Sequence, residues 1–192
     1  MELILVRHAK AFDRDASAWP DDSRRPLTAE GRGEFVRFAK RLGRLCRSVD
    51  LVESSGFVRA WQTAQLLHEH AGFPKPSRLE RLEAADADPT KRESESLRLA
   101  SLARAVAALR GVDRVVWVGH EPLLSRFASL LLAGSADGMS ISMKKGAALA
   151  LGLTDAREGG APDAPPRAQL LWMLTPGVAT RLRRGGKREK KH

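Results

Sequence analysis

Only one cysteine, Cys46, occurs in the 192 residues. No internal disulfide can form, which excludes a small disulfide-stapled scaffold. No apolar run approaches the roughly 20 residues that cross a bilayer. The opening residues MELILVRHAKA turn charged within a few positions. They have neither the basic start nor the apolar core of a secretory signal. There is no internal repeat and no composition shift that marks a second domain. A soluble, cytoplasmic chain without membrane contact is the expectation, with one hydrophobic core.

Acidic residues are also in the minority, leaving a formal charge of +10. Six of those ten charges belong to the last twelve residues, RLRRGGKREKKH, with seven Lys/Arg against one Glu. The expected organisation is a single domain over residues 1–178 and a basic tail over 179–192, disordered for want of an apolar face. The tail is a solvated segment or a contact for nucleic acid or another acidic partner. It says little about the task of the folded part.

Short apolar runs alternate with helical periodicities. Glu2 to Val6, Asp50 to Ser54, Ser77 to Leu82 and Arg114 to Val118 read as strands. Phe35, Phe38, Leu42 and Leu45 follow a helical face after Thr28, and Cys46 ends that face as a core residue. Phe57, Trp61, Ala64 and Leu67 mark a second helix, stopped by Gly72 and Pro74. Leu99, Leu102, Val106 and Leu109 mark a third. A fourth begins at Pro122, a favoured first helical residue. Leu149, Leu151 and Leu153 alternate, as do Leu170, Trp172 and Leu174, around a Gly/Pro-rich loop from Glu158 to Pro166. Phe12 to Arg25 and Glu83 to Glu95 read as loops. The pattern predicts an α/β fold, a three-layer αβα sandwich on a mostly parallel sheet with antiparallel edge strands.

Such sheets bind ligands beyond the carboxyl ends of their strands. Arg7-His8 directly follows the first strand, Arg59 comes just after the second, and His120 directly follows the RVVWV strand. Arginines suit phosphate because a guanidinium gives bidentate, charge-assisted hydrogen bonds. Two histidines allow one to attack while the other donates. His68 and His70, two apart on a helix, face different sides and make no metal pair.

Four stretches then carry a resemblance: LVRHAKA (Leu5 to Ala11), RPLTAEG (Arg25 to Gly31), SGFVRAWQTA (Ser55 to Ala64) and VGHEPLL (Val118 to Leu124). In order and spacing they resemble the histidine phosphatase superfamily, in its SixA-type phosphohistidine phosphatase branch. The resemblance covers roughly residues 1–176 and implies the phosphoglycerate mutase-like fold. It implies His8 as the nucleophile that forms a phosphohistidine, with Arg7, Arg59 and a protonated His120 around the phosphoryl group. It implies substrate contacts from Arg25 and Ser55, no cofactor and no metal, and a pocket that a phosphate or sulfate anion could occupy. Gly56 departs from the family's usual proline; glycine makes the same turn.

The general acid is the gap. The segment RLERLEAADADP offers Glu80, Glu83, Asp86 and Asp88, of which Glu83 is the candidate. A labile P–N bond has less need of an acid. The short loops between motifs also leave no room for the lid of superfamily members that act on sugar phosphates. The leading expectation is therefore a phosphatase acting on a phosphohistidine-containing protein. A small phosphomonoester substrate, or a non-catalytic module binding phosphate or polyanions, are the alternatives.

Overall fold

In the computed structural model, residues 1–83, 95–109, 111–154 and 166–181 are described. The sheet has six strands in the order β3-β2-β4-β1-β5-β6. These are β1 (Glu2–Arg7), β2 (Leu51–Ser54), β3 (Ser77–Arg78), β4 (Arg114–Gly119), β5 (Ala148–Thr154) and β6 (Arg167–Leu174). The first four pair in parallel, while β5 and β6 add antiparallel strands beyond β1. This is the predicted α/β sandwich. The two central strands are in register, so Leu5 faces Trp117 and Arg7 faces Gly119. Both therefore release their chains at the same sheet edge.

Alternate strand residues face opposite layers. Ile4, Val6, Val52, Val116 and Val118 pack under α1 (Ala29–Leu45) and α2 (Val58–Ala71). Leu3, Leu5, Val115 and Trp117 pack under α3 (Glu95–Ala108) and α4 (Leu123–Ala133). Thr28 caps α1 by accepting from the Gly31 N–H at 2.9 Å. Phe35, Phe38 and Leu42 are buried as the periodicity predicts, as is Cys46, whereas Leu45 is 53% exposed.

Three expectations need correction. The buried face of α2 is Ala60, Thr63, Ala64 and Leu67, and Trp61 is only half-buried. The reason is close helix packing: a Cβ on Gly43 of α1 would lie 2.4 Å from the Ala71 carbonyl of α2. Small residues fit such a seam, and an indole does not. The strand expected over Ser77 to Leu82 lasts two residues and gives way to a 3-10 turn, Glu80–Leu82. Its neighbour β2 ends at Ser54, and the turn carries Leu82 fully into the core. Finally, α5 (Pro176–Arg181) packs against α1 with Ala179 buried, so ordered structure runs past residue 178. The expected tail beyond Arg181, Asp86, Asp88 and most of the Glu158 to Pro166 loop lie outside the described residues. Among the described residues, no helix is long and apolar enough to cross a membrane.

Candidate active site

His8 sits one residue beyond β1 and is 6% exposed. Its backbone N–H extends the ladder to the Gly119 carbonyl at 3.0 Å, and its own carbonyl accepts from Gly146 N–H at 3.0 Å. The ring is turned by a local hydrogen bond: Nδ1 lies 2.7 Å from the Ala9 carbonyl oxygen. A carbonyl only accepts, so Nδ1 carries the proton and Nε2 holds the lone pair. Burial is the largest cause that lowers the His8 pKa, to about 3; the Ala9 bond opposes it, and Arg59, Arg7 and Arg25 add to it. His8 is thus a neutral imidazole with a free nucleophilic nitrogen at ordinary pH.

His120 stands at the corresponding place beyond β4, with its ring centroid 5.2 Å from that of His8. Its Nε2 lies 2.8 Å from Ser55 Oγ. That hydroxyl oxygen also accepts from the Phe57 N–H at 3.2 Å. His120 Nδ1 is buried without a partner; in the tautomer with the proton on Nδ1, the Ser55 O–H donates to Nε2. Burial first, then the electrostatic coupling to His8 and the charges on Arg59, Arg25 and Arg7, hold His120 well below its usual pKa. In the free site burial thus favours the neutral form of His120, and the protonated form expected from the sequence belongs to a site that holds an anion.

Two guanidiniums complete the pocket. Arg7 donates through one terminal nitrogen to the Met143 carbonyl at 2.6 Å. Arg59, in the first turn of α2 and 4% exposed, donates to the Asp22 backbone carbonyl at 2.7 Å and pairs with its carboxylate at 3.0 Å. Its Cζ lies 5.1 Å from the Phe57 ring, which is 5.1 Å from the His120 ring. The Nε atoms of both arginines are buried with no partner. Burial lowers both pKa values, opposed by Glu121 at Arg7 and by Asp22 at Arg59. Arginine stays charged regardless.

Arg25 reaches the rim, bonded through Nε to Asp22 Oδ1 at 2.8 Å and through a terminal nitrogen to the Phe12 carbonyl. Ser55 is fully buried and serves His120. Glu83 is placed against the Gly56 turn. Its Oε1 accepts from the Gly56 N–H at 3.2 Å and from Arg78 at 2.8 Å. A Cβ at position 56 would stand 2.5 Å from Arg78 Nε and 2.7 Å from Glu83 Oε1, the ends of two flexible side chains, and proline there would have no N–H to give Glu83.

Four residues of this site were not singled out by their sequence signals. Asp22 bridges Arg25 and Arg59. Burial alone would raise its pKa, but the Arg25 bond and the charges of Arg59, Arg25 and Arg14 hold it below the usual carboxylate range. Thr63 Oγ1 accepts from Ala9 N–H at 3.0 Å and donates to the Arg59 carbonyl at 2.7 Å, joining the β1 end to α2. Gln62 accepts from Leu27 N–H at 2.9 Å, fastening the RPLT segment. Glu121 follows His120. Thr63 and Gln62 lie within the SGFVRAWQTA stretch, and Glu121 within VGHEPLL.

Three unpartnered nitrogens, Arg7 Nε, Arg59 Nε and His120 Nδ1, thus belong to side chains gathered at one sheet edge around a histidine lone pair. Buried guanidinium N–H groups without acceptors suit an anionic ligand, so fold and site define an α/β protein with a candidate anion site beside His8.

The histidine phosphatase superfamily (branch 1) matches residues 3–94. An uncharacterized protein of Picosynechococcus is 32% identical over 151 residues, 79% of this chain and 84% of that one. The chain belongs to the histidine phosphatase superfamily. Among solved structures, the protein histidine phosphatase SixA in complex with tungstate superposes with a TM-score of 0.68 at 23% identity, over 92% of this chain and 98% of that one. A mycobacterial glucosyl-3-phosphoglycerate phosphatase in complex with inorganic phosphate gives 0.65 at 22%, over 92% and 99%. These two likenesses concern the fold.

Proposed function

We propose that this protein is a phosphatase that works through a phosphohistidine on His8, and that its substrate is a phosphohistidine-bearing protein, as in the SixA-type branch. The observation that carries the reading is the tautomer of His8: Nδ1–H is spent on the Ala9 carbonyl, leaving Nε2 free to attack phosphorus. In the first step a P–Nε2 bond forms and the bond from phosphorus to the leaving atom breaks, its electron pair going to that atom. In the second step water attacks phosphorus, the P–Nε2 bond breaks and phosphate departs. Arg7 Nε, Arg59 Nε and His120 Nδ1 donate to the equatorial oxygens, where charge must be held throughout. This supply of positive charge is compatible with turnover in a chelator, and we propose a metal-independent reaction.

The substrate class follows from the leaving group. Glu83 Oε1 is engaged by Gly56 and Arg78, which suits it to fastening the turn more than to giving up a proton. An imidazole leaving group makes little demand on an acid. The likeness to the glucosyl-3-phosphoglycerate phosphatase supports the second reading, a small phosphomonoester.

The test is a comparison of phosphohistidine and phosphomonoester turnover, with His8→Ala as the control. His8→Ala should lower both by about a thousandfold or more. Rapid quench of wild type should trap acid-labile, base-stable phosphate on His8. Full activity of the variant would overturn the mechanism, and a strong ester preference would overturn the substrate class.

A further inference from the structure

One carboxylate of the site is unexplained by phosphate chemistry. Glu121 lies one residue past His120, just beyond β4. Its Oε2 accepts from Ser125 Oγ–H at 2.6 Å, in the first turn of α4. Its Oε1 is buried and has no partner. The same carboxylate is close enough to Arg7 to oppose the effect of burial on that guanidinium, yet Arg7 Nε is itself unpartnered. Arg7 Nε, without an acceptor, and Glu121 Oε1, without a donor, thus belong to two side chains that interact beside His120.

Phosphate oxygens can satisfy Arg7 Nε. In a dianion they cannot satisfy Glu121 Oε1, because both sides are then acceptors. A dianion would instead be repelled. A ligand suited to this pair carries an anionic phosphoryl group and, next to it, a positively polarised N–H. N-phosphorylated imidazole has both in its protonated form: phosphorus on one ring nitrogen and a proton on the other. We infer that Glu121 is a specificity-determining residue, its free oxygen accepting the ring N–H of a phosphohistidine substrate. This rests on the phosphohistidine reading above and extends it.

The consequence for the chemistry is direct. A charge-assisted N–H···O bond favours the protonated ring. When the P–N bond then breaks, its electron pair returns to the ring and a neutral imidazole leaves. The proton stays on the far nitrogen throughout, so no acid has to deliver one during the step.

The experiment measures kcat/KM for free phosphohistidine and for p-nitrophenyl phosphate, whose leaving group has no N–H. The variants are Glu121→Leu, which removes the acceptor, and Glu121→Gln, which keeps an oxygen but removes the charge. The ratio of phosphohistidine to ester kcat/KM should fall at least about tenfold in Glu121→Leu and by less in Glu121→Gln, as expected for loss of a charge-assisted bond. The alkaline limb of phosphohistidine turnover should also move to lower pH in both, because the ring proton is held less firmly. A ratio within about twofold of wild type in both variants would overturn the inference, including the case in which a P–OH donor serves both substrates alike. If Glu121→Leu fails to fold, Glu121→Gln decides on the same ratio. Wild type that hydrolyses the ester but not phosphohistidine would overturn the substrate reading itself, and that result is read without any variant.

Discussion

The two sides of the pocket are held in different ways. His8 and His120 are fixed by backbone: they follow directly on two parallel strands in register, and the ladder runs on to His8 N–H. The Arg59 side is fixed by side chains. Its guanidinium is held by Asp22, which opens a short 3-10 turn (Asp22–Arg24) before α1 and also pairs with Arg25. A nucleophile needs placement to within a fraction of an ångström, and a sheet supplies it. A cation that follows charge onto an entering group tolerates a softer mounting.

The largest effect that separates the two sides comes from removing the cation itself. Arg59→Ala should lower kcat/KM about a hundredfold to a thousandfold, as loss of a transition-state donor does, with phosphate inhibition weakened in parallel. Arg59→Lys should recover only part, because its single ammonium cannot hold Asp22 and an oxyanion in one plane. Near wild-type activity in Arg59→Lys would show that charge alone matters there.

Asp22→Asn should cost less, about tenfold, and mainly in KM. The Asp22 backbone carbonyl still holds Arg59, while the carboxylate that aligns Arg59 and Arg25 is gone. A drop confined to kcat would place Asp22 on the chemical step and erase the contrast between the two sides.

The sequence made the strand-end side plain, and the other side only in part. His8 and His120 follow short apolar runs, so their location comes from the strand-end rule alone. Arg7 is legible in the same way, and Arg59 through its place after β2. Asp22 is different, because its meaning depends on two arginines brought from separate segments, and no periodicity announces that. Thr63 was hidden by the assigned helical face, which took Trp61 as the core position where Ala60, Thr63 and Ala64 are buried. Glu121 lies inside the VGHEPLL stretch without a signal of its own, and only the missing partner of Oε1 sets it apart. The end of β3 was illegible because it is decided by where β2 stops.

Thr63→Val sharpens the comparison from the seam between the sides. The substitution keeps the shape but leaves Ala9 N–H buried without an acceptor. It should cost about 1–3 kcal/mol in stability, measured by urea denaturation. Turnover should fall only several-fold, since His8 keeps its ladder and its Ala9 bond. A loss as large as that of Arg59→Ala would mean that Thr63 and not the strand end sets the nucleophile.

The smallest effect is the most selective, because it reads the protonation of the two sides separately. His8 has an unfolded pKa near 6.5 and a folded one of about 3, and His120 is lowered as well. Between about pH 3 and 6.5 the unfolded chain takes up protons that the folded chain refuses. Stability therefore rises with pH across that window and is fully present above it. One such histidine contributes a slope of about 1.4 kcal/mol per pH unit well inside the window. Asp22 is shifted downward too, but a lowered carboxylate loses its contribution only as pH falls below the ordinary Asp range. Between pH 7 and 5 the slope thus belongs to the strand-end side. His8→Asn should flatten it by up to about 1 kcal/mol per unit, and Asp22→Asn should leave it as in wild type, read from urea midpoints at the two pH values. An unflattened slope in His8→Asn would show that His8 is not held neutral by its burial, and the lone pair assigned to Nε2 would lose its physical basis.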